Sequence, residues 1–388
     1  MTDVVHNKPY LLTPGPLTTS LSVKQAMLED HGSWDKDFNQ MTAWVCQQLL
    51  SIAHAGTDYS CVPMQGSGTF AVEAALGSLI GQQSTSLVLA NGAYGQRICQ
   101  ILDYLKRPYL LIDTGDYLPV SAEQLSECLA SNPEIEQVIV VHCETSSGIL
   151  NPVPMVAALC QEFNKALIID SMSGFGALDC NSQKLKYRAL IASANKCLHG
   201  VPGFGFVIVQ NTWLAKCAGN SHSLSLDLHA QWQYMEKTGQ WRFTPPTHVL
   251  AACSQALREY QTLGGQAARL EWYQQNQRLL VNGLEDLGLQ TLLPRHWQSP
   301  MITTFFAPQH PNWDFTTFYQ LIKAQGYIIY PGKLTQVASF RVGSMGELTQ
   351  QAMLGAVRAI KQALSQMEIN PATCPQMARE PLWNQYAV

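Results

Sequence analysis

The stretch ALIIDSMSGFGALDCNSQKLKYRALIASANKCLHGVPGFGFVIV, residues 166–209, carries the reading of the fold. It opens with an apolar run, ALIID (166–170), continues with a second run from Ala189 that delivers Lys196, and closes with GFGFVIV (203–209). Continuous apolar runs of about four to eight residues between turn residues suit strands covered on both faces. Asp170 ends the first run and Lys196 follows the second. Desolvating either charge is costly, so each position has two readings. Lys196 either snorkels to water or is held for its chemistry. Asp170 either caps a turn or pairs with a cation. Their spacing of 26 residues lets them face one crevice from different strands, at the carboxyl ends where open α/β sheets bind ligands.

Working outward, apolar runs alternate with helical stretches. SLVLAN (86–91) precedes GQRICQILDYL, and EQVIVVHCE (136–144) leads into MVAALCQEFNK. The alternation predicts an α/β domain, a mostly parallel sheet wrapped by helices, over residues 21–262. After LGGQAAR (263–269) the pattern changes to a long helix, the strand-like MITTFFAP, YIIYP and SFRVG, and a closing helix. This predicts a smaller α+β domain over 263–367, with an N-terminal segment at 1–20 and a loosely packed extension at 368–388.

Hydrophobic residues make up 46% and charged residues 13% of 388, which indicates a folded, core-rich chain. A formal charge of −4 gives no basic footprint for nucleic acid. No apolar run reaches the ~18 residues that span a membrane. The opening MTDVVHNKPYLL has no signal-peptide pattern. Eleven scattered cysteines without a C-x-x-C pair read as reduced thiols of a cytoplasmic protein, with no metal site.

A second constellation lies at 64–81, MQGSGTFAVEAALGSLIG. A strand-like lead runs into Ser67-Gly68-Thr69 and then a helix. Free N–H groups at a helix start attract phosphate, although an ordinary strand–helix turn has the same look. The G-x-G-x-x-A at 66–71 also loosely matches a dinucleotide fingerprint, but the next strand ends in Ala90-Asn91-Gly92 without the required carboxylate. A nicotinamide-dependent dehydrogenase is thereby the remote alternative. Cradle, strand-end aspartate and strand-end lysine together suit pyridoxal 5'-phosphate: the lysine forms a Schiff base, and the carboxylate keeps the pyridine nitrogen protonated. Tyr94 would stack on the ring, and Thr145 would reach its phenolic oxygen.

With these residues in view, the chain resembles the class V aminotransferases among the fold type I pyridoxal-phosphate enzymes. The likeness rests on LLTPGPLTTS (11–20), MQGSGTFAVEA (64–74), NGAYGQR (91–97), VVHCETSSGILNP (140–152), SANKCLHGVPGFGFVI (193–208), SLSLDL (223–228), WRFTPPTH (241–248), YPGK (330–333) and FRVGSMGE (340–347). Within the family it is similar to the branch acting on 2-aminoethylphosphonate. The resemblance implies a homodimer with shared active sites, an aminophosphonate as one substrate and pyruvate as the other. It implies Lys196 as the Schiff-base lysine, Asp170 as the pyridinium partner, Tyr94 as the stacking ring, Ser67, Gly68 and Thr69 on phosphate, and Thr145 on the ring oxygen. Thr244 or Thr247 would reach the phosphate from the partner subunit. Arg341 would hold the substrate's acid group, with Thr18, His222 and His229 nearby. The chain departs from the family pattern at Ser33, Ser171, Gly174, His222, His229 and Pro245. The departures keep open a sister activity, an ammonia-lyase on 1-hydroxy-2-aminoethylphosphonate that also yields phosphonoacetaldehyde.

Overall fold

A computed structural model of the chain describes residues 9–333 and 337–377. Seven strands form the central sheet, in the order Tyr59–Gly66, Gly203–Gln210, Ala189–Ser193, Ala166–Asp170, Ile135–Val141, Thr85–Ala90 and Tyr109–Asp113. Neighbours run parallel except at Gly203–Gln210, which is antiparallel to both strands it touches. The mostly parallel sheet expected from the apolar runs is therefore present.

Alternate residues of the strands feed two cores, which explains why the runs are apolar throughout. Val88, Ile139, Ile168, Ile191 and Val207 pack with helices Gly68–Leu79 and Ala93–Tyr104. Leu87, Val138, Leu167, Leu190 and Phe206 pack on the opposite face, with helices Lys36–Ile52, Ala122–Ser131, Val153–Glu162 and Thr247–Thr262. Each such side chain contributes about 1.5–3 kcal/mol when fully buried. Among the described residues, no helix is long and apolar enough to cross a membrane.

The C-terminal third forms a second layer. An antiparallel sheet of Ile302–Phe306, Ser339–Gly343 and Tyr330–Pro331 shares a core with helices Gly265–Glu285, Phe315–Ala324 and Gln350–Gln366. The loose packing expected after Met367 does not hold for residues 368–377. Ile369 is buried in this core, Gln376 Nε2 donates to the Gly288 carbonyl at 3.2 Å, and Met377 N donates to Gln290 Oε1 at 3.0 Å. Residues 1–8 and 378–388, the ends of the two terminal segments, lie outside the described residues.

The N-terminal segment links both regions. Tyr10–Leu11 pairs in parallel with Tyr327–Ile328, and the Leu12 carbonyl accepts from Gly343 N at 2.9 Å. The chain then crosses over Lys196, and Ser20 caps the helix Leu21–Gln25 while its Oγ donates to Glu259 Oε1 at 3.1 Å. A segment anchored at both ends in this way holds the turn Thr13–Pro16 against the carboxyl edge of the sheet.

Candidate active site

Strand ends and one helix start build the site. Asp170, the last residue of its strand, is 5% exposed and accepts from Met172 N at 3.0 Å. Burial pushes its carboxyl up to about 6, and no cation lies within ion-pair distance among the described residues. Lys196 sits in the turn between Ala189–Ser193 and Gly203–Gln210, and its Nζ donates to the Pro14 carbonyl at 2.6 Å. Burial lowers its ammonium to about 8, toward neutral pH.

Lys196 and Asp170 line one cavity together with Tyr94, Thr145 and Met172. An adjoining cavity takes in Gly68, Thr69 and Arg97 and shares Tyr94, Asp170 and Met172. Each is small, about 30 Å³. Gly68 opens the helix Gly68–Leu79, and a Cβ there would come within 2.8 Å of Met172 Cε. The glycine thus lets Met172 pack close against the helix start, whose first N–H groups are the kind that attract an anion. Ser67, the N-cap, is exposed and lines neither cavity.

Tyr94 is held from behind by Glu144. This fully buried carboxylate accepts from Tyr94 N at 2.9 Å, Gly95 N at 3.2 Å and Ser146 N at 3.1 Å. A carboxylate on the first N–H groups of the helix Ala93–Tyr104 also suits the helix dipole. Arg97 lies 4.9 Å from the Tyr94 ring centroid and donates to Thr69 Oγ1 at 3.1 Å. Arg341 is 1% exposed, and burial pushes its guanidinium down. It donates from Nη1 to the Thr145 carbonyl at 2.8 Å and from Nε to the Pro331 carbonyl at 2.9 Å. It is a buried cation with no carboxylate partner among the described residues.

The structure brings together Lys196, Asp170, Tyr94, Thr145, Gly68, Thr69 and, through the Thr145 carbonyl, Arg341. It leaves the remaining candidates outside both cavities of this chain. Thr18 Oγ1 accepts from Leu11 N at 2.9 Å, His222 is exposed, and His229 is buried against Trp232 with ring centroids 5.8 Å apart. Thr244 is exposed and Thr247 neighbours His248. Reasoning on sequence passed over Met172, Arg97, Glu144 and Lys333 as site residues. All four stand in stretches quoted for other residues, so only their geometry singles them out.

A family profile described as Aminotransferase class-V matches residues 112–339. The chain belongs to the class V aminotransferase family. A 2-aminoethylphosphonate–pyruvate transaminase of Rhizobium meliloti (strain 1021) is 53% identical, covering 96% of this chain and 97% of the relative. One of the same description from Pseudomonas putida (strain GB-1) is 52% identical, covering 94% and 99%. Among solved structures, the alanine–glyoxylate aminotransferase of Nostoc sp. superposes with a TM-score of 0.85 at 22% identity, covering 94% of this chain and 97% of that one. The pyridoxamine–pyruvate aminotransferase of Mesorhizobium loti gives 0.84 at 22%, covering 100% and 98%. These likenesses establish the fold type I architecture. This class V aminotransferase therefore carries its strand-end lysine and aspartate in one cleft.

Proposed function

We propose that the chain is a pyridoxal 5'-phosphate-dependent transaminase that moves the amino group of 2-aminoethylphosphonate to pyruvate, giving phosphonoacetaldehyde and L-alanine. The observation that carries the cofactor reading is the buried, unpaired Asp170 in one cavity with Lys196. A buried carboxylate without a cation needs one, and a protonated ring nitrogen supplies it. Substrate identity draws support from the relatives' descriptions at more than 50% identity.

The residues present fit the cofactor. Gly68, Thr69 and the helix start would hold the phosphate with Arg97 at hand, while Tyr94 and Met172 would cover the ring. Thr145 would meet the ring oxygen. When bound, pyridoxal phosphate supplies an aldehyde that condenses with amines and a ring that takes up electron density from an adjacent carbon. Lys196 supplies the anchoring amine and then moves a proton at the substrate carbon, a task suited to a group lowered to about 8. Asp170 holds the proton at the ring nitrogen. Arg341 offers a fork to the acid group of each substrate in turn.

We also read the enzyme as a cytoplasmic homodimer. All eleven cysteines are unpaired, which suits a reducing compartment. Phe70 and Phe243 are exposed in the lining of an apolar groove of about 400 Å³. A second copy covering that groove would bring Thr244 and Thr247 toward a neighbouring phosphate site. His222 and His229 lie outside both cavities, so the departures that kept the lyase open gain no support from the cavity lining.

The deciding experiment follows alanine formation from 2-aminoethylphosphonate and pyruvate, beside ammonia release from 1-hydroxy-2-aminoethylphosphonate without a keto acid. Alanine formation is the expected result. Ammonia release with negligible alanine would replace this reading with the lyase.

A further inference from the structure

Lys333 is the cation that the reading above leaves without a task. It ends the YPGK stretch, two residues beyond the strand Tyr330–Pro331. Its Nζ stands 5.4 Å from the centroid of the Tyr94 ring, within cation–π range. Among the described residues it makes no hydrogen bond or ion pair. The same short strand pairs with the Arg341 strand, Tyr330 opposite Arg341, and the Pro331 carbonyl accepts from Arg341 Nε. One segment thus delivers a lysine to the Tyr94 wall of the cavity and fixes the buried arginine beside Thr145.

The surrounding charges reinforce the point. Burial, then Arg341 and Arg97, lower the Lys333 ammonium, while Glu144 opposes them. Glu144 is already committed to the N–H groups of Tyr94, Gly95 and Ser146. Positive charge from Arg97 and Lys333 flanks the Tyr94 ring, with Arg341 beyond Thr145, and Glu144 offsets it in part. The two acids this site must hold differ in charge. Pyruvate carries one negative charge, which Arg341 matches, whereas a fully ionised phosphonate carries two.

We propose that Lys333 supplies the second positive charge for the phosphonate dianion and is a specificity-determining residue for the amino donor. The inference rests on the transaminase reading above. Lys333 lines neither cavity and is largely exposed on the Tyr94 side, so its long stem can reach in for the phosphonate and withdraw to water when pyruvate binds. The buried arginine stays in place for both acids.

The test compares wild type, Lys333→Met and Lys333→Arg. Wild-type alanine formation from 2-aminoethylphosphonate examines the transaminase reading alone, and its absence sinks that reading without touching the variants. Given activity, Lys333→Met raises the KM for the phosphonate about 10- to 100-fold, the loss expected for one charged hydrogen-bonding partner, and leaves the KM for pyruvate nearly unchanged. Lys333→Arg restores most of the phosphonate affinity. The pH profile adds a readout that structural damage would not produce. In wild type, kcat/KM for the phosphonate climbs as its second proton leaves near neutral pH, and in Lys333→Met this climb flattens. Unchanged phosphonate KM, equal rises for both substrates, or a weaker hold on pyridoxal phosphate alone would each overturn the proposal.

Discussion

Replacing Gly15 with alanine separates the stability of this fold from its chemistry. Gly15 has φ +119°, and a Cβ there would stand 2.8 Å from Lys196 Cδ and Cε and closer still to Nζ. Two costs follow. The backbone conformation suits glycine alone, which costs about 1–3 kcal/mol for any other residue. The steric cost falls on a flexible side chain, so the lysine moves rather than the sheet. Carbon atoms at 2.8 Å must separate by about 1 Å to reach an ordinary contact distance. Moving the reacting amine by about 1 Å costs on the order of 100-fold in rate. Gly15→Ala therefore melts about 2–12 °C lower, at about 2–4 °C per kcal/mol for larger domains, and loses roughly 100-fold in turnover. Thermal melts and initial rates of alanine formation measure the two effects. A variant that melts lower but turns over at nearly the wild-type rate would refute the idea that this turn sets the position of Lys196.

Other perturbations follow from the same geometry. Burial raises the Asp170 carboxyl from 3.8 to about 6, so its contribution to stability is complete below pH 3.8 and is lost as pH rises through 6. In cofactor-free protein, Asp170→Asn should be the more stable form at pH 8, by up to about 3 kcal/mol, and the gap should close near pH 4; equal melting at both pH values contradicts this. The cofactor-loaded form of the same variant should turn over orders of magnitude more slowly. Glu144→Ala strips the acceptor from three backbone N–H groups behind Tyr94 and should cost about 2–4 kcal/mol in urea unfolding. Phe243→Asp places a charge on the exposed apolar groove, and sedimentation should show monomers with greatly reduced activity; an intact, active dimer would remove this groove from the interface.

Legibility in the sequence follows physical range. Asp170 and Lys196 stand out because five-residue apolar runs mark buried strands and a charge at their ends is costly. Strand direction is another matter: GFGFVIV reads the same whether its strand runs with or against its neighbours, and pairing alone shows it to be antiparallel. Met172 looks like any methionine of a turn until the fold sets it between Gly68 and Tyr94. Lys333 is 239 residues from Tyr94, and no local pattern joins them. His229, in a motif-rich stretch, packs on Trp232, a contact that no local pattern announces.

The reversed strand Gly203–Gln210 acts as a ruler. It pairs Gly203 with Gly66, just ahead of the helix start proposed as the phosphate cradle, and Gly205 with Ser193, three residues before Lys196. The separation between cradle and lysine is thereby counted in whole residues along a single ladder. A slip of one position would turn every side chain of the strand to the wrong face. Substitutions in the turn 194–202 are limited to those that fit and exclude Lys196, whose amine the proposed chemistry uses. Insertions and deletions have no such freedom, because Cys197 and Leu198 are fully buried and leave no slack for an added residue. This turn must keep its length as strictly as it keeps its lysine.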